Sequence, residues 1–239
     1  ILSRLVGSEM CIRDRSWEEV VSPQRVDQVL QEHKGSISHI AMVHHETTTG
    51  LLNPLKEILS VATKHGVGTI VDAMSSYAGI PIDVKSMNCD FLVSSSSKCI
   101  QAISGMSFVI CRKAALEQTQ SIKPRSLYFS LWDQYDQMLK TRQSRFTPPV
   151  QLFYALDQAL DEYEKEGGEN RHARYVSCYD ALIKGMDALG FEALLPPEIH
   201  SKLLTTFIEP SHPAYVFDDM HDYLYERGFT TVSYTHLRA

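Results

Sequence analysis

The sequence predicts an α/β fold: a mostly parallel sheet with crossover helices, followed by the start of a smaller α+β unit. Three observations carry this expectation. Short β-branched runs alternate with stretches of helical periodicity, a pattern that goes with parallel strands joined by helices of roughly 10–15 residues. Polar clusters follow directly on the ends of those runs, where ligands collect in such sheets. After the last run the pattern changes to two long helices and a mixed tail.

Each element can be justified in turn. Ser22-Pro23 opens a helix, because Pro suits a first helical turn and Val26, Val29 and Leu30 recur at i, i+3, i+4. Residues 37–43 read as a buried strand that runs into His44-His45-Glu46-Thr47-Thr48-Thr49-Gly50. Leu55, Ile58, Leu59 and Ala62 then form a helical stripe that stops near Gly66. Residues 68–72 form a second strand with Asp72 at its end, and 91–93 a third that leads into Ser94-Ser95-Ser96-Ser97-Lys98. Residues 107–111 make a fourth. Beyond Thr147-Pro148-Pro149 an amphipathic helix spans 150–166, with Leu152, Ala155, Leu156, Ala159, Leu160 and Tyr163 on one face. A second long helix covers about 169–189, and the tail offers a strand-like 205–208 and a helix near 214–227. The expected division is a larger unit over 16–171 and the opening of a smaller one over 172–230. Residues 1–15 and 231–239 resemble translated adapter sequence and are expected to stand outside the fold.

Composition narrows the function classes. Apolar residues make up 44% and charged residues 22% of the 239, which is ordinary for a globular protein. A formal charge of −6 argues against a nucleic-acid surface, which needs clustered Lys and Arg. No apolar run approaches the roughly 20 residues that cross a bilayer. Cys11, Cys89, Cys99, Cys111 and Cys178 contain no C-x-x-C pair, so neither zinc nor a disulfide framework is expected, and a cytoplasmic location fits reduced thiols.

Three positions could carry chemistry. Lys98 follows a strand and four small hydroxyl residues, where a buried amine with a lowered pKa could act as a Schiff-base nucleophile; a solvated loop lysine is the plainer alternative. Asp72 ends an apolar strand, where a carboxylate could hold a proton on a ring nitrogen or simply cap a turn. Thr47-Thr48-Thr49 supply hydroxyls for a ligand or for the turn itself. His44 and His45 have no third ligand at suitable spacing, so no metal is expected.

The order and spacing of these segments say more than any one of them. His45-Glu-Thr-Thr-Thr-Gly-Leu-Leu-Asn-Pro54, Val71-Asp-Ala-Met-Ser-Ser76 and Ser96-Ser-Lys-Cys-Ile-Gln101, with 26 residues from Asp72 to Lys98, resemble the class V aminotransferases of fold type I. The Glu-Thr-Thr-Thr-Gly and Lys-Cys-Ile-Gln wording, with Arg145-Phe-Thr-Pro-Pro149 downstream, is similar to the branch of that family that handles 2-aminoethylphosphonate.

The resemblance implies a fold type I large domain that binds pyridoxal 5′-phosphate. On it, Lys98 holds the cofactor covalently and moves a proton, and Asp72 pairs with the ring nitrogen. Thr47 bonds the ring hydroxyl, Met74 packs on a ring face, and Ser97 contacts the phosphate. Thr147 reaches the cofactor of a second subunit in a homodimer. The implied reaction moves an amino group from 2-aminoethylphosphonate to pyruvate, so the implied partners are a small-molecule amino donor, a 2-oxo acid acceptor and the second subunit. The family's phosphate-cupping loop, its stacking aromatic and its substrate-anchoring Arg are expected outside 16–230. Two rivals remain: another class V transaminase using alanine or serine, and an α/β binding module without catalysis. A pure binder needs neither Asp72 nor Lys98.

Overall fold

The computed structural model describes residues 18–231. Its centre is a four-stranded sheet, order β1-β4-β5-β6, made of β1 (His39–Val43), β4 (Gly68–Asp72), β5 (Phe91–Ser95) and β6 (Ser107–Cys111). The first three strands are parallel, with Val43 level with Asp72 and Asp72 level with Val93. β6 runs antiparallel to β5. The physical reason lies in the connection: a parallel return needs a crossover of a dozen residues or more, and 96–106 is a short loop with no helix.

Between β1 and β4 come a small hairpin, β2 (His45–Glu46) and β3 (Leu51–Leu52), and helix α2 (Leu55–His65). The hairpin turns through Thr47–Gly50 and closes with the Gly50 N–H on the Glu46 carbonyl at 2.8 Å. Helix α2 ends at Gly66 in the left-handed conformation (φ 67°) that glycine adopts at little cost. Its apolar stripe, Leu55 and Leu59, packs on Val71, Ala73 and Leu92, with Met42 and Ile110 beside them. Upstream, α1 (Pro23–Glu32) is capped by the Ser22 hydroxyl and anchored to α2 through Asp27, which bonds Lys64 and His65 at 2.9 and 2.7 Å. Those two partners hold the Asp27 carboxyl below its ordinary pKa, the His65 bond most of all.

Five helices follow: α3 (Lys113–Gln118), α4 (Leu131–Thr141), α5 (Val150–Glu166), α6 (Gly168–Ala188) and α7 (Phe217–Tyr225). The chain changes direction at Gly167 (φ 82°), a backbone conformation that permits α6 to follow α5 with a single residue between them. Helix α6 begins at Gly168, so the expected boundary at 171/172 falls inside its first turn. The expected strand at 205–208 is reduced to a single bridge between Ala193 and Phe207. Leu194 N–H bonds Thr206 O and Ile208 N–H bonds Glu192 O, both at 2.8 Å. Pro196 on one side and Pro210 on the other supply no N–H, so the ladder stops there. Both outer segments, 1–15 and most of 231–239, lie outside the described residues.

Candidate active site

The parallel strands end together, and the polar clusters gather on that edge. Asp72 is the last residue of β4; β1 ends beside it at Val43, and β5 at Ser95. Thr47 is exposed in the hairpin turn beyond β1, and Ser97 and Lys98 are exposed in the turn beyond β5. Alternation along β4 puts Val71 into the α2 core and Asp72 on the opposite face, where it is exposed. The Asp72 carboxylate accepts the Met74 N–H at 2.9 Å, a local turn that holds Met74 half-buried next to it. Thr147 does not belong to this group. It is exposed in the 142–149 segment, which Arg145 ties to α4 through Asp133 at 2.7 Å.

The Thr47 hairpin is built from behind by its own histidines and by serines distant in sequence. Its histidines are buried rather than metal-seeking: His44 Nδ1 shares a hydrogen bond with Ser76 Oγ at 2.9 Å, and His45 Nδ1 with Ser75 Oγ at 3.0 Å. Ser75 sends its own proton to the His45 carbonyl, so it accepts from His45 Nδ1–H. His45 Nε2 is then the acceptor for the Ser201 hydroxyl, at 2.9 Å. Burial holds both imidazoles neutral, each pushed down to about 4. His45 therefore links the turn after Asp72 to the strap 199–206. The same strap is fastened by Leu52 N–H to Ile199 O, Ser201 N–H to Gly50 O, and the Thr206 hydroxyl to Thr48 O. Gly50 is required there, because its φ is 86° and a Cβ would overlap the Leu204 carbonyl oxygen. Nothing local in the sequence pairs residue 45 with 201, which is why the pattern gave no signal.

The Lys98 turn is equally supported. Gln101 N–H bonds the Lys98 carbonyl at 2.8 Å, Ala102 N–H bonds Ser96 O at 3.0 Å, and the Ser96 hydroxyl bonds Ile103 O at 2.7 Å. The Ser94 hydroxyl bonds Ala73 O at 3.2 Å, stitching β5 to the start of the Asp72 turn. Ser95 differs from its neighbours. Its hydroxyl is buried with no partner among the described residues, and strand alternation puts it on the Asp72 face. The four-serine run points to this place, but only hydrogen-bond pairing separates Ser95 from Ser94 and Ser96, which are also buried and bond the backbone.

The edge therefore assembles a primary amine, a carboxylate, hydroxyls and a thioether within turns that follow neighbouring strands. Among the described residues no group of three His, Cys, Asp or Glu could hold a metal ion, and no helix is long and apolar enough to cross a membrane.

Known proteins share this arrangement of sequence. The family profile for class V aminotransferases matches residues 18–231. A 2-aminoethylphosphonate–pyruvate transaminase of Phocaeicola vulgatus is 45% identical over 213 residues, which is 88% of this chain and 58% of that protein. One from Paraburkholderia xenovorans is 43% identical over 222 residues, 92% of this chain and 59% of that protein. The chain thus spans little more than half the length of these relatives. In structure it is similar to alanine–glyoxylate aminotransferase from Nostoc sp., with a TM-score of 0.80 and 25% identity over 89% of this chain and 56% of the other. Pyridoxamine–pyruvate aminotransferase from Mesorhizobium loti gives 0.75 and 28%, over 82% of this chain and 50% of the other. With the family profile matched from residue 18 to 231, the chain belongs to the class V aminotransferase family.

Proposed function

We propose that this chain forms the cofactor-binding part of a pyridoxal-phosphate aminotransferase that moves an amino group from 2-aminoethylphosphonate to pyruvate. The observation that carries the reading is the pairing of Asp72 with the Lys98 turn on neighbouring parallel strands, at the edge where α/β sheets bind ligands. The donor set fits the cofactor: an amine for an aldehyde carbon, a carboxylate for a ring nitrogen, and the partnerless buried Ser95 hydroxyl beside exposed Ser97 for phosphate oxygens. The choice of substrate is supported by relatives at 43–45% identity that carry this activity in their names.

Pyridoxal phosphate, when bound, supplies an electron-poor ring that stabilises negative charge on the substrate carbon bearing the amine. The protein's own groups do the rest. Lys98 Nζ would anchor the cofactor and hold or move the proton at that carbon. Asp72 keeps a proton on the ring nitrogen. Thr47 would bond the ring hydroxyl, and Met74 would pack against the ring. Thr147 serves the second active site of a homodimer; Leu127, Tyr128, Phe129, Phe153 and Tyr154, exposed in the flanking segments, are the kind of apolar surface a second subunit would cover. Residues 172–230 are assigned to the start of the small domain, and free Cys89, Cys99, Cys111 and Cys178 fit a cytoplasmic protein.

A transaminase for α-amino acids is the second reading, favoured by the structural likeness to alanine–glyoxylate aminotransferase. Alanine formation from pyruvate by the full-length, cofactor-loaded protein separates the two. Turnover is expected with 2-aminoethylphosphonate and little with serine as donor; the reverse preference establishes the second reading. Borohydride reduction followed by peptide mapping is expected to mark Lys98, and label on another lysine removes the anchor assignment.

A further inference from the structure

The largest fully buried side chain among the described residues belongs to Arg171, a charged residue at 2% exposure in the first turn of α6. Burying a guanidinium is costly unless its charge and its N–H groups are all answered. Here the charge, Nε and Nη1 are answered by two different parts of the molecule. Nε donates to Glu166 Oε2 at 2.6 Å, and the guanidinium lies 4.8 Å from the centre of the Tyr163 ring, both on α5. Nη1 donates to the carbonyl of Cys99 at 2.9 Å and reaches that of Ile100 at 3.4 Å. Those are the two residues that follow Lys98.

The same face of α6 holds the rest of the turn. Tyr175, one helical turn beyond Arg171, accepts the Gln101 Nε2–H at 2.8 Å. Gln101 needs this support because its backbone is left-handed (φ 68°), an unfavourable conformation for a side chain of its kind. His172 donates from Nδ1 to the Gly79 carbonyl at 2.9 Å, in the segment that follows Asp72 and Met74. The Cys99 thiol closes the circuit on Ser75 O at 3.4 Å. Glu166 stays ionised, held down to about 2 by Arg174 and Arg171 together, so the anchor of the clamp keeps its charge.

We propose that Arg171 is the positioning residue for Lys98: it fixes, from behind, the turn that carries the amine relative to the turn that carries Asp72. A helix of ordinary apolar residues could fill the same space, but it could not satisfy two consecutive carbonyls of a tight turn. The fork serves two sides at once, Nη1 on the carbonyls and Nε on Glu166, whereas lysine offers a single point charge. The inference rests on the reading of Lys98 as the cofactor anchor.

The test uses the full-length protein loaded with pyridoxal phosphate, in wild-type form and as Arg171→Lys, Arg171→Met and Tyr175→Phe. Three quantities are read: the pH midpoint of the cofactor's visible absorption band, the rate of borohydride labelling at Lys98, and kcat separately from KM. A displaced turn is expected to lower kcat of Arg171→Met about 10- to 100-fold, as a misplacement of about an ångström does elsewhere. The midpoint should move by at least about half a unit, because the amine's surroundings change. KM should change less than about twofold, since a positioning loss falls on the chemical step. Arg171→Lys is expected to fall between wild type and Arg171→Met, and Tyr175→Phe to move the same readouts less. If Arg171→Met melts at lower temperature yet keeps the wild-type midpoint, labelling rate and kcat, the residue is structural only and the proposal is overturned. Should Arg171→Met fail to fold, Arg171→Lys and Tyr175→Phe decide: wild-type midpoints and labelling rates in both overturn it. A wild-type protein that takes no label at Lys98 overturns the anchor reading, and this inference with it.

Discussion

The two faces of β4 are one residue apart and behave as different materials. Val71 points into the α2 core with no exposure at all, beside Leu92, Ala73 and Leu59. Ile70 and Asp72 point the other way; Ile70 is 39% exposed and Asp72 is exposed at the strand end. The covered face holds apolar side chains and, just beyond it, imidazoles kept neutral by burial. The other face holds the exposed carboxylate and the buried, partnerless Ser95 hydroxyl. The difference teaches that this sheet separates its tasks by side: one face is packed against α2, and the other carries the proposed site.

Substitutions on the two faces should therefore fail in different ways. Lys98→Ala carries the largest expected effect, a loss of turnover of at least about 10³-fold, because anchoring and proton transfer are removed together. Its melting temperature without cofactor should match wild type, which calorimetry checks. Asp72→Asn should lower kcat by about 10²-fold or more with unfolding free energy nearly unchanged. If Asp72→Asn instead melts early with normal turnover, the division between the faces is broken. Leu92→Ala is the mirror case: a stability loss of about 2–5 kcal/mol by denaturant titration, with kcat retained in the fraction that stays folded.

Acid tests the covered side. His44 and His45 have folded-state values near 4, below the ordinary 6.5, so the unfolded chain binds more protons between those two pH values. Stability is fully present above about 6.5 and is lost as pH falls toward 4, by roughly 3 kcal/mol for each histidine. His45→Gln should flatten part of that slope; an unchanged slope would mean that other groups set the acid limit. The smallest effect is expected for Ile70→Ala, within about 1 kcal/mol of wild type, because its side chain is already partly in water. A large loss there would show that the open face is covered in the working protein.

Much of this was legible in the sequence, for reasons that are local. The β-branched runs 68–72 and 107–111 became strands with those bounds, and the stripe 150–166 became α5. A period of two or of 3.6 is written into the chain and needs no partner to be read. The stripe Leu55, Ile58, Leu59 and Ala62 likewise became the buried face of α2. Spacing also serves: Asp72 ends one strand and Lys98 follows the next, and the strands are neighbours because consecutive parallel elements usually pack side by side.

What the sequence determined by itself was the elements, their order, and which residues stand at the strand ends, since each follows from local periodicity and turn chemistry. Tertiary structure decided the rest. It turned β6 antiparallel, shrank 205–208 to one bridge, and chose Ser95 out of four serines as the one buried without a partner. It joined His45 to Ser201 across 156 residues and placed Arg171 behind a turn 72 residues earlier. Such pairings depend on which hydrogen-bonding groups are left unanswered once the chain has packed, and that is a property of the assembled interior rather than of any stretch of sequence.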